Sequence, residues 1–114
     1  MITCTARHFS GRDEAIAEIK QSGLHLAETE LTPDELTGEA HDHPYGVEIY
    51  LLEGVLVLDD PATGKSHKLE AGSKAVVPAD ARHTETCSGP VRAVFGLTID
   101  PAQLMAARTA EVSS

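Results

Sequence analysis

Early in the chain the apolar positions recur at helical spacing, and beyond about residue 24 they alternate. In "SGRDEAIAEIKQSG", Ala15, Ile16 and Ile19 share one helical face, which predicts a short helix over about 11–22 packed on the body of the protein. Ser10 is the expected N-cap, with Asp13 three residues on, and Gly23 the expected stop. Leu24 to Leu31 alternates as a strand, and "TPDELTG" is turn material. Val47 to Leu52 and Val55 to Leu58 are strand-like and meet at Gly54. The polar turn "DDPATGK" then predicts a hairpin with Ser66 to Leu69. Lys74 to Val77 stops at Pro78, a further strand starts at His83, and Val91 to Ile99 is the last. Asp100 and Pro101 suit the cap and first turn of a C-terminal helix over about 101–108. Short strands separated by turn signals predict an all-β antiparallel sandwich or barrel with a core over about 24–99 and a short helix at each end.

The face assignment within this pattern matters for the chemistry. Val47, Ile49 and Leu51 line one side of their strand, with Glu48, Tyr50 and Leu52 on the other. The run "IYLLEGVLVL" is apolar on both faces, more than one small sandwich needs, and predicts a homodimer.

A length of 114 residues fits one domain, and 41% apolar with 24% charged residues is an ordinary globular balance. The net charge of −9, without a Lys/Arg cluster, argues against nucleic acid and anionic membranes as partners. No apolar run is long enough to span a bilayer, and the N-terminal residues lack the apolar core of a signal peptide. The expected location is therefore the cytoplasm, where the widely spaced Cys4 and Cys87 remain thiols.

The candidate chemistry is in "EAHDHPYGVEIYLLEG". His41 and His43, at i and i+2 of an extended segment, point to the same side and can grip one metal ion. His83 can join them if the sheet folds back. Three imidazoles on one face of a metal leave open positions and suit Fe(II), Zn, Ni, Cu or Mn. Glu48 is a further candidate ligand, provided that a β-bulge re-aims it toward the histidines. Glu85, at i+2 from His83, shares its face and is a candidate catalytic base or fourth ligand. Cys87 has the same parity and reads as a small buried residue; Tyr50 reads as a core or interface aromatic. His8, His25 and His67 read as surface residues.

Two separated blocks resemble the cupin superfamily. The first, "HDHPYGVEIYLLEG", matches its HxH–glutamate–glycine motif at His41, His43 and Gly54, with Val47 at the glutamate position. The second, "GSKAVVPADARHTETC", matches at Gly72, Pro78 and His83, with Asp80 and Cys87 in place of the family's glycine and asparagine. The resemblance implies a small jelly-roll barrel, a metal held inside it by His41, His43 and His83, and a homodimer.

Two classes of function follow. One is a metal-dependent enzyme of dioxygenase, isomerase or lyase type on a small oxygen-bearing substrate, within walls that include Val47, Ile49, Leu51, Val55, Val57 and Val76. The other is a non-catalytic module that binds or senses a metal or small ligand. A carboxylate facing the interior favours the first. A metal-free barrel requires His83 to lie away from the pair.

Overall fold

The computed structural model describes residues 2–34, 36 and 40–100. Eight strands and one helix follow in the order β1 (Thr3–Thr5), α1 (Arg12–Gln21), β2 (His25–Leu31), β3 (Val47–Glu53), β4 (Leu56–Asp60), β5 (Lys65–Leu69), β6 (Lys74–Val77), β7 (Thr84–Cys87) and β8 (Val91–Leu97). They form a five-stranded sheet, β1-β6-β3-β8-β2, and a three-stranded sheet, β5-β4-β7, with every pairing antiparallel. Two antiparallel sheets are the arrangement expected from the short alternating strands, and they fit the jelly roll that the cupin resemblance implies. The C-terminal helix expected over about 101–108 lies outside the described residues.

The main core fills the space between the sheets. Ile49, Leu51, Ala75, Val77, Val91 and Ala93 from the large sheet meet Leu56, Leu58 and Leu69 from the small one. Strand alternation produces this division directly, since only every second residue can face the partner sheet. The inward residues of β4 are thus Leu56 and Leu58, and that of β6 next to Val77 is Ala75. Val57 and Val76, expected in the wall, have the opposite parity, and Val55 lies between strands.

β3 and β4 are consecutive but do not pair; the chain passes from one sheet to the other at Gly54. The backbone there has φ +87°, and a Cβ would stand 2.5 Å from the Pro90 carbonyl oxygen, so both conformation and space demand glycine.

A second cluster lies outside the large sheet, where Ala15 and Ile19 of α1 pack with Phe9, Tyr50 and Val94. Gly96 permits the approach, since a Cβ on it would lie 3.0 Å from Leu24 and 3.2 Å from Ile19. The helix thereby covers the outer face of β3, where Tyr50 is fully buried. The two-sided apolarity that predicted a homodimer is satisfied on this strand within one chain. The cap differs from expectation too. Gly11 is the N-cap, and the Ser10 hydroxyl donates to Glu14 at 2.5 Å instead of accepting from the helix backbone. Among the described residues, no helix is long and apolar enough to cross a membrane.

Candidate metal centre

His41 and His83 are joined by an isolated antiparallel bridge: each backbone N–H donates to the other's carbonyl at 2.9 Å. This pairing brings together residues far apart in sequence. The turn before His83 is tied to the same segment, as the Asp80 N–H donates to the His43 carbonyl at 2.6 Å. Asp80 has φ +63°, which explains a glycine at that place in the resembled motif; aspartate is among the few other residues that enter this region readily.

The side chains converge as the backbone directs. The His41 and His83 rings lie 4.4 Å apart between centroids, His41 and His43 5.0 Å, and His43 and His83 5.6 Å. One nitrogen from each ring lies within 4.8 Å of the others, so the three could hold a metal ion. Small side-chain rotations bring such a spacing to that of nitrogens sharing one ion at about 2.1 Å. His83 is the most enclosed, at 1% exposure. Its Nδ1–H donates to the Ala81 carbonyl at 2.9 Å, which orients the ring and leaves Nε2 for the interior.

Nε2 of His83 faces Glu85 Oε1 at 3.2 Å. Burial disfavours charge on both groups, but their mutual hydrogen bond outweighs it: His83 is raised above the usual histidine value and Glu85 is held below the usual carboxylate value. The proton between them is one that a cation at Nε2 would displace. His43 is shifted the other way, by burial first and then by the neighbouring imidazoles. The result is a cluster of three imidazoles with a carboxylate against one of them.

Glu48 is in a different place. Its register with β6 is unbroken, Glu48 opposite Val76 and Ile49 opposite Ala75, and the irregularity in β3 falls later, between Leu51 and Glu53. No bulge re-aims it, so it keeps the outer parity. There it accepts from Tyr50 at 2.9 Å and pairs with Lys74 at 2.9 Å. Glu85, in contrast, is opposite Leu58 and shares the inner face. The carboxylate beside the histidines therefore comes from β7 and not from β3. A recess of about 340 Å³ bounded by Leu24, Glu48, Val76 and Gly96 is also outside the large sheet and touches none of the three histidines.

Cys4 and Cys87 form no disulfide, and Cys87 packs against the main core as a small apolar residue would. Neither Tyr45 nor His67 was given a functional role by the sequence. Tyr45 stacks on His43 with centroids 5.0 Å apart and an interplanar angle of 24°. Its position at i+2 from His43 was the available signal. His67, expected at the surface, has the inward parity of Leu69 on β5.

Comparison with known proteins agrees with this architecture. No curated protein matches the chain. A DUF861-family protein of Thermotoga maritima is similar at 18% identity, over 83% of this chain and 97% of its own, with a TM-score of 0.56. A DUF861-family protein of unknown function from Pseudomonas syringae is 22% identical over 85% of this chain and 37% of its own, with a TM-score of 0.59. The polyketide cyclase RemF of Streptomyces resistomycificus is 25% identical over 72% of this chain and 61% of its own, with a TM-score of 0.55. With the family model for the cupin domain matching residues 27–100, which hold β3 to β8 and all three clustered histidines, the chain belongs to the cupin family.

Proposed function

We propose that this cupin holds one divalent transition metal through His41, His43 and His83, with Glu85 supplying the carboxylate, and acts on a small oxygen-bearing substrate in a reaction of dioxygenase, isomerase or lyase type. The observation that carries this reading is the convergence of three imidazole nitrogens within 4.8 Å, two of them on residues joined by their own backbones. The donor set fits Fe(II), Zn, Ni or Mn. An ion held by these histidines would supply Lewis acidity toward a substrate oxygen or, if iron, oxygen chemistry.

The chain's own residues do the rest. The Ala81 carbonyl fixes the ring of His83 through Nδ1. The side chains of Ile49, Leu51 and Leu58 keep the interior apolar and strengthen electrostatic interactions within it. Glu85 is the one group of the cluster able to receive a proton from a substrate as a carboxylate.

An inward carboxylate favours catalysis over simple ligand binding, and the likeness to a polyketide cyclase supports the same choice. The reading places the protein in the cytoplasm, with a small molecule as its partner. It retains the homodimer through the half-buried Val57, which has outward parity on β4; size-exclusion chromatography with light scattering measures this.

Elemental analysis of untagged protein is the direct test. About one equivalent of a transition metal per chain is expected by this reading. Protein that carries none, and takes none up on reconstitution, would sink it.

A further inference from the structure

The three imidazoles of the centre are held in three different ways. His41 is held through its backbone, by the bridge to His83. The His83 ring is oriented through Nδ1 by the Ala81 carbonyl. The His43 ring makes no hydrogen bond among the described residues; its contacts are with the rings of His41, His83 and Tyr45. Histidines that ligate metals ordinarily donate their second ring N–H to an outer partner, which fixes the ring. On His43 an aromatic face stands in that place.

The backbone around His43 is pinned, so only its side chain is left to fix. Pro44 locks its own φ and confines the residue before it to the extended region. The His43 carbonyl accepts from the Asp80 N–H at 2.6 Å. Gly46 is tied to Thr98 twice: its N–H donates to the Thr98 hydroxyl at 2.8 Å, and its carbonyl accepts from the Thr98 N–H at 3.1 Å. Between these anchors the chain bends at Pro44 and Tyr45. The bend lays the half-buried Tyr45 ring against His43, with centroids 5.0 Å apart and planes 24° from parallel. Aromatic rings attract one another at such a separation. His41 and His83 meet the same ring at 65° and 54°. Among the described residues, Tyr45 alone lies flat on it.

We propose that Tyr45 is a positioning residue of the metal centre, its ring face holding the His43 imidazole toward the point that His41 and His83 share. It acts through His43, and its hydroxyl takes no part in that positioning. A ring that is already held gives up less freedom when an ion binds, and immobilising one free side chain costs about three- to tenfold in affinity. This inference rests on the reading of the three histidines as a metal site.

The test uses full-length untagged protein, with proton NMR of the histidine rings in the metal-free state and Co²⁺ as the binding probe. In the wild type the Tyr45 ring current should displace the His43 ring protons upfield. Tyr45→Phe should keep that displacement, whereas Tyr45→Leu and Tyr45→Ala should abolish it and leave the His83 signals in place. Cobalt affinity should follow the same division: Tyr45→Phe within about twofold of the wild type, and the other two weaker by about three- to tenfold. Tyr45→Leu keeps the apolar bulk without a planar face, and it decides the matter if Tyr45→Ala does not fold.

Wild-type cobalt affinity in Tyr45→Leu, or an equal loss in Tyr45→Phe, overturns the role of Tyr45 and leaves the metal centre intact. His43 signals that do not move in Tyr45→Leu overturn it as well. Failure of the wild type to bind cobalt removes the functional reading, and this inference with it.

Discussion

Two polar clusters stand on opposite sides of the large sheet, and they are built on different principles. Outside it, Glu18 of α1 receives hydrogen bonds from Tyr50 at 2.5 Å and Lys74 at 2.6 Å and contacts His8 at 2.8 Å. Glu48 shares the same lysine and tyrosine. Each negative group there meets a cation or a hydroxyl donor, so the cluster is complete and fastens the helix to the sheet. Inside, three imidazoles surround one another with a single carboxylate. A sheet one residue thick separates the arrangements, and parity alone decides which one a side chain joins. Glu48 shows this most clearly: it lies in the family's first motif, yet a lysine on the adjacent strand holds it on the helix side.

The largest effect should come from the inner cluster. His83→Ala should weaken metal binding by more than about 100-fold, exceeding the 10–100-fold typical of losing an outer partner, and a cobalt absorption titration measures it. Weak dependence on His83 would remove the distinction between the clusters.

Next, Glu85→Gln should weaken metal binding by about 10–100-fold, while Glu48→Gln leaves it unchanged. The reverse order would show that the two carboxylates exchange places when metal binds. Glu18→Gln should do the opposite of the histidine variant: it should lower unfolding free energy by about 1–3 kcal/mol in urea, without changing metal affinity.

The pH dependence of stability sharpens the contrast further. Burial opposes ionisation of Glu18, but hydrogen bonds from Lys74, Tyr50 and His8 prevail and hold its pKa at about 2, against an ordinary 4.5. The folded state therefore favours the carboxylate. This contribution is fully present above about pH 4.5 and is lost as pH falls from 4.5 toward 2. Acid unfolding should consequently be shallower over this window in Glu18→Gln than in the wild type, as thermal melts at graded pH would show. The smallest effect should be that of Asp80→Gly, which relieves a positive φ and should add up to about 1 kcal/mol, with the histidine spacing retained.

Much of this organisation is legible in the residues. Alternation defines β2 to β8 within a residue or two, and the i, i+2 rule puts His41 with His43 and His83 with Glu85. It also assigns Glu48 to the face of Tyr50, which the structure retains. What alternation cannot express is which face another element will cover. The outer apolar residues of β3 suggested a second copy, but the helix with Ala15 and Ile19 lies there. β1, at three residues, is too short to show a period, and its pairing with β6 defines it. His67 is the instructive omission. "KSHKL" looks like an exposed polar strand, and only by counting back from Leu69 does its histidine turn inward.

The bridge between His41 and His83 has a consequence for how the chain comes apart. The segment between them contains β3, β4, β5 and β6, from both sheets. An ion shared by the two residues would tie off that segment as a cross-link does and could bind well only after both ends had met. Its release would then be coupled to opening of the barrel, and amide hydrogens throughout β3 to β6 would exchange more slowly in the loaded protein than in the stripped one.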